Sequence, residues 1–315
     1  MPPLHPRRLP RPIAVAGAVL VGVLTATQTQ INGALGAAIG DALTAAAISF
    51  GSGFVILLAL SSLLPAGRAG VVRLIGGVRE RRIPVWMILG GGAGAFTVVT
   101  QGLAVAAIGV AAFTVGVVAG QTVNGVVLDR IGYGPAGVVG VTVGRLAGAL
   151  LVVAAVAVSM FGEGAASVPI WLLVLPLLAG AGIAWQQATN GRLRNEVGSP
   201  LTATLVNFCG GTVILAAGAA IHLGIAGPPR LPSEPWLYTG GVIGVVYIFL
   251  SAALVRHTGV LQLGLGSVVG LLSTSVVIDA LFPGHAGPPL EVAVVAVGVA
   301  VTGVVVATVP RWRRR

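Results

Sequence analysis

Gln28 and Asn32 stand four residues apart in an otherwise apolar stretch, and Gln186 and Asn190 repeat that spacing further down the chain. Residues four apart share one face of a helix. Each pair is therefore a small patch of amides, with Thr25, Thr27, Thr29 and Gln30 around the first, and Gln187 and Thr189 around the second. Amides donate and accept hydrogen bonds without ionising. They can hold a polar solute, but they supply neither a nucleophile nor an acid–base group. In hydrocarbon an unpaired amide costs several kcal/mol. Two expectations follow: a lining that binds solute in a central cavity, or hydrogen bonds between helices that only hold a bundle together. Gln101, Gln121 and Asn124 in the first half, and Asn207, Tyr247 and Ser251 in the second, are further polar candidates for the same lining.

Charged candidates are few. Arg145 lies well inside an apolar run, where it either snorkels to the surface or faces the cavity and attracts an anionic group. Asp129 and Asp279 end two apolar runs in the matching contexts VVLD and VVID. A carboxylate within a span would be a candidate for ion coupling, and at a helix end it would cap a neighbour. The structural role is the expectation for both. His5, His222, His257 and His285 fall in loops or at the ends of runs and form no metal-binding or metalloprotease pattern, and no Ser/His/Asp constellation or Walker loop is present. No enzyme activity, metal or cofactor is expected. The single cysteine, Cys209, is expected to be a small core residue.

These residues must be positioned by elements that live in lipid. The chain has 315 residues, of which 56% are hydrophobic and only 8% charged, against about 25% charged in soluble domains. Apolar stretches of about 20 residues recur along the whole length, each sufficient to cross about 30 Å of hydrocarbon as a helix. They are too long and too continuously apolar for barrel strands. Ten helices are expected near 13–35, 42–64, 84–107, 110–130, 136–160, 169–192, 200–224, 235–255, 258–282 and 290–309. The third and fourth are divided only at Gly109, and the eighth and ninth at Gly259. Trp86 and Trp236 read as anchors at the membrane interface.

The net charge of +10 comes entirely from arginine on the basic side. The arginines flank apolar runs instead of covering one face, which argues for membrane orientation and against nucleic acid. With the N-terminus inside, Arg68, Arg73, Arg79, Arg81, Arg82, Arg130, Arg192, Arg194, Arg256 and both basic termini (1–12 and 310–315) fall on the cytoplasmic side, and only Arg230 falls outside. The N-terminal Arg7, Arg8, Arg11 and the run from Ile13 resemble a signal peptide, but the run has a counterpart halfway down the chain and is expected to be retained.

That counterpart is part of an internal repeat. Residues 32–57 match 190–215 at an offset of 158, pairing Asn32 with Asn190, Thr44 with Thr202, Phe50 with Phe208 and Gly53 with Gly211. A second block matches at an offset of 150, pairing Trp86 with Trp236, Gly90 with Gly240, Gly94 with Gly244, Gly120 with Gly270 and Asp129 with Asp279. The repeats span 13–160 and 169–309. Five helices per repeat is an odd number, so the second copy enters the membrane from the opposite side, the arrangement typical of secondary transporters.

TQTQINGALG, its partner WQQATNGRLR and the paired VVLD and VVID resemble the drug/metabolite transporter superfamily, in particular its YdcZ-like branch, over residues 13–309. The resemblance implies an all-α bundle of ten spanning helices in two inverted five-helix repeats. It also implies a permease of the cytoplasmic membrane that moves a small metabolite or drug-like solute by alternating access. Partners are then a small-molecule solute and membrane lipids, with the chain a monomer or homodimer and both termini cytoplasmic. A flippase for a lipid-linked substrate and a non-transporting scaffold are the alternatives. Small multidrug exporters of the superfamily exchange protons through a glutamate in the first helix. Here the first and sixth helices contain no acidic residue, so the resemblance does not carry that mechanism over.

Overall fold

The computed structural model describes residues 9–158, 170–281 and 290–308, and all the regular structure in them is helical. The helices are α1 (Arg11–Ile39), α2 (Ala42–Leu63), α3 (Pro65–Arg79), α4 (Gly90–Arg130), α5 (Val143–Val158), α6 (Ile170–Val197), α7 (Pro200–Ala226), α8 (Gly240–Thr258), α9 (Val260–Leu281) and α10 (Leu290–Thr308). Among the described residues α1, α2, Pro200–Ile225 and Pro235–Thr258 are each long and apolar enough to cross a bilayer. Large apolar side chains such as Val55, Leu150, Val213 and Ile221 are exposed on the outside of the bundle, as expected where lipid is the solvent.

The α1–α2 and α6–α7 turns are built alike. Gly40 has φ 71° and Gly198 has φ 66°, a left-handed backbone in which only glycine escapes a steric cost. The next residue caps the following helix. The Asp41 carboxylate accepts from the Leu43 amide at 2.9 Å, and Ser199 Oγ accepts from the Thr202 amide at 3.3 Å. Burial pushes the Asp41 pKa up, but bonds from the Thr44 hydroxyl and the Thr44 and Leu43 amides, with His222 nearby, outweigh it and hold the carboxylate below its ordinary value of 3.8. A lowered folded value stabilises the protein above the unfolded pKa, and that contribution disappears as pH falls through the folded one. Asp41→Ala should cost about 1 kcal/mol, the usual worth of such a cap. The gap in melting temperature between Asp41→Ala and the unchanged protein should be present at pH 6 and vanish at strongly acid pH.

Three expectations change. Residues 65–79, read as a basic loop, form helix α3. Its Leu74 packs on the core of Ile83, Met87, Leu193 and Val206, and Arg73 Nε donates to the Val197 carbonyl at 2.6 Å. Short-range packing made a helix of a segment too polar to span. Second, the backbone is helical through the whole of Gly90–Arg130, so no non-helical residue marks a division at Gly109, whereas Gly259, with φ 75°, separates α8 from α9. The run is nonetheless not a straight rod. Trp86 before it and Tyr133 after it stack with ring centroids 5.6 Å apart, and 41 residues of straight helix would hold them about 60 Å apart. Ala93 and Asn124 likewise meet adjacent residues of α6, Gly182 and Ala181. The chain therefore doubles back between Ala95 and Gly116, and α4 supplies two antiparallel limbs. Third, Cys209 is exposed on α7 and is not a core residue.

Candidate functional site

Helix α1 packs chiefly on α8 and α9, α6 packs chiefly on α4, and α2 packs on α7. The first helix of each repeat thus lies against the hairpin of the other repeat. The reason is glycine. A methyl group on Gly22 would fall 1.8 Å from the Ser267 carbonyl oxygen, and one on Gly180 would fall 1.9 Å from that of Val117. Gly270 and Gly120 approach the Val19 and Leu177 carbonyls equally closely, each at 2.0 Å from the same construction. Each contact reappears in the other half at the sequence offsets of 158 and 150. Backbones this close are held by dispersion and Cα–H···O contacts, which replace the hydrophobic drive missing in lipid.

Phe50 and Phe208, equivalent residues of the two repeats, touch each other with centroids 5.2 Å apart. Their rings lie on Gly211 and Gly53, and their far edges reach Gly94 and Gly244. The two repeats thus touch through equivalent residues.

The amides flank this aromatic pair. In the second half, Gln186 Nε2 donates to Asn207 Oδ1 at 2.8 Å, and Asn190 Nδ2 donates to the same oxygen at 3.0 Å. Asn207 is fully buried, and its Nδ2 has no hydrogen-bond partner. In the first half, Gln28 Nε2 donates to the Gly240 carbonyl at 2.9 Å. Asn32 Oδ1 and Ser49 Oγ are both buried without a partner. Both face Gly240, where an added methyl would lie 2.1 and 3.1 Å from them. Ser49 stands 158 residues before Asn207. The sequence analysis missed it because serine is unremarkable in such a helix, although the repeat offset would have pointed to it. Thr202 Oγ1 and Gln187 Oε1 are further buried atoms without partners.

The other candidates are dispersed. Gln121 is buried and lies on Gly264 of α9, while Asn124 donates to the Ala181 carbonyl at 2.7 Å. Their equivalents are Leu271 and Thr274, so this polar patch belongs to one half only. Gln101 is half-buried in α4. Tyr247 sits between two apolar clusters, beside Phe208 and Ile248 on one side and Leu254 on the other. Trp86 is more than an interface anchor, because it and Tyr133 both present their rings to the Arg192 guanidinium, at 5.6 and 4.9 Å.

Arg145 is buried and ion-paired. Its guanidinium pairs with Asp129, at side-chain exposures of 7% and 2%. Asp129 in turn accepts from the Val260 and Leu261 amides at 2.8 and 3.2 Å, capping α9. The carboxylate thus sits on the positive end of a helix with a cation behind it. The Asp279 side chain lies outside the described residues.

Two shallow clefts among the described residues have room for about one water molecule at most. That is smaller than the pocket of a typical small-molecule site. One is lined by Asp129 and Arg145, the other by Arg11, His257 and Gln262.

A family model described as "Putative inner membrane exporter, YdcZ" matches the chain twice, over residues 13–158 and 171–306. The chain belongs to the YdcZ family of drug/metabolite transporters. It is therefore a membrane protein of a transporter family, and the YdcZ model matches it as two repeats. None of the curated proteins matches. A solved structure described only as "Crystal structure of protein" superposes with a TM-score of 0.61 at 16% identity, covering 94% of this chain and 95% of its own. That likeness shows a shared fold.

Proposed function

We propose that this YdcZ-family chain is a secondary-type transporter that moves a small polar metabolite or drug-like solute across the cytoplasmic membrane by alternating access. Its ten crossings are two inverted five-helix repeats, the limbs of α4 counting as two, and both termini are cytoplasmic. The carrying observation is the set of buried, unpartnered amide and hydroxyl atoms beside the Phe50–Phe208 pair: Asn32 Oδ1, Ser49 Oγ and Asn207 Nδ2. A bundle held together only by its own hydrogen bonds has no use for orphaned polar atoms in a dry core, whereas a solute with a donor and an acceptor would satisfy them. Matching contacts at the offsets of 158 and 150 support two halves that can exchange conformations at similar energy, and the arginines support the orientation.

A thermal-shift screen of purified protein against polar metabolites tests the reading. A solute that raises the melting temperature by several degrees should lose at least tenfold in affinity in Gln28→Ala, Asn190→Ala and Asn207→Ala, while Gln101→Ala serves as a more distant comparison. Asn207→Ala also frees two amide donors, so its unliganded stability should fall by about 1–2 kcal/mol. Stabilising solutes that bind all the amide variants as tightly as the unchanged protein would rule the site out.

A further inference from the structure

Arg194 continues the amide stripe. It follows Gln186 and Asn190 at the same four-residue spacing on α6, so the three share one helical face. Its Nε and Nη1 atoms are buried and have no hydrogen-bond partner. Arg256 ends α8 next to Val255, whose side chain packs on Gly191 of α6, one turn before Arg194, so the two guanidinium groups lie near enough to repel. Arg256 spends its own Nε on the neighbouring His257 ring at 2.9 Å.

The nearby charges are otherwise accounted for. Arg192 lies against the rings of Trp86 and Tyr133, and Arg73 is bonded to the Val197 carbonyl. Among the described residues, Asp129 is taken by Arg145, Glu80 pairs with Arg82, Asp41 is capping α2 beside His222, and no ion pair involves Arg194 or Arg256. Glu196 is exposed and only two positions from Arg194, a spacing at which side chains on a helix do not face each other. A half-buried guanidinium beside a second one, with two idle donors and no ion-pair partner, adds nothing to the stability of the free protein. An arginine fork with free N–H groups matches the oxygens of a carboxylate or phosphate.

We propose that Arg194 and Arg256 form a binding site for an oxyanion, a carboxylate or phosphate group, at the end of the Gln186–Asn190 stripe. The inference rests on the transport reading for its purpose: the anionic group would belong to the solute, whose neutral part meets the amides. The chemistry is shared by the headgroup of an anionic lipid, which the test separates.

The full chain is purified in neutral detergent, and melting is followed while inorganic phosphate or citrate replaces chloride at constant ionic strength. A second series replaces phosphatidylcholine with phosphatidylglycerol in mixed micelles. Phosphate or citrate should stabilise the unchanged protein and Arg230→Gln alike. Affinity should fall at least tenfold in Arg194→Gln and Arg256→Gln, and Arg194→Lys should retain part of it. Without anion, Arg194→Gln should melt no lower than the unchanged protein, because it removes an unpaired cation. That readout separates a binding role from a structural one. A response to phosphatidylglycerol alone that is lost in Arg194→Gln assigns the oxyanion site to lipid. No anion response, a response equal in all variants, or an Arg194→Gln protein that is strongly destabilised would overturn the site. Anion binding does not require the amides, so a neutral solute whose binding is lost in Asn190→Ala but not in Arg194→Gln would leave the transport reading standing while removing this one.

Discussion

Replacing Asp129 with asparagine is expected to destabilise the bundle by about 3–5 kcal/mol, the usual cost of breaking a buried ion pair from one side. The change keeps the shape and one acceptor oxygen, for either the Val260 or the Leu261 amide, since the two amides bond different oxygens of the carboxylate. It leaves the Arg145 guanidinium buried without its counter-charge, and Arg145 Nε already lacks a partner. Repulsion should then open the α9 end and pull the α4–α5 loop with it, since the Val139 amide bonds the Asp129 carbonyl at 2.8 Å. Arg145→Gln alone should also be destabilising, and the double variant Asp129→Asn with Arg145→Gln should recover most of the loss. Denaturant titration of the detergent-solubilised protein, arranged as a double-mutant cycle, measures the coupling. Additive losses would mean that the two groups act separately.

The second large effect concerns the glycine contacts. A methyl on Gly91 would sit 1.9 Å from the Asn207 carbonyl oxygen, and one on Gly120 would sit 2.0 Å from that of Leu177. Backbone atoms cannot step aside as a side-chain tip can, so α4 would have to separate from α7 or α6. Gly91→Val and Gly120→Val should each cost about 3 kcal/mol, the upper part of the range for overpacking. Gly51 has nothing within 4 Å of its added methyl, and Gly51→Ala should be neutral or stabilising by about 0.5–1 kcal/mol through helix propensity. Melting temperatures of the three variants decide the matter. Equal stability throughout would mean that the helices are less closely packed than the contacts at Gly91 and Gly120 require.

Much of this protein was legible in the one-dimensional text. Composition and run length dictate helices in lipid, because hydrocarbon leaves the backbone no other partner. Equivalent residues at offsets of 158 and 150 announce two copies, since amides, phenylalanines and aspartates are too scarce here to recur in register by chance. Tertiary structure alone decided which surfaces meet. No local signal states that α1 lies on α8 and α9, that Phe50 finds Phe208, or that Arg145 finds Asp129 sixteen positions earlier. Nor does any mark Ser49 and Arg194 as bearing idle polar atoms. In lipid every outward residue is as apolar as the inward ones, so hydrophobic periodicity loses its power to label faces. Close approach at glycine and the pairing of rare polar groups choose the partners, and both are properties of two segments together.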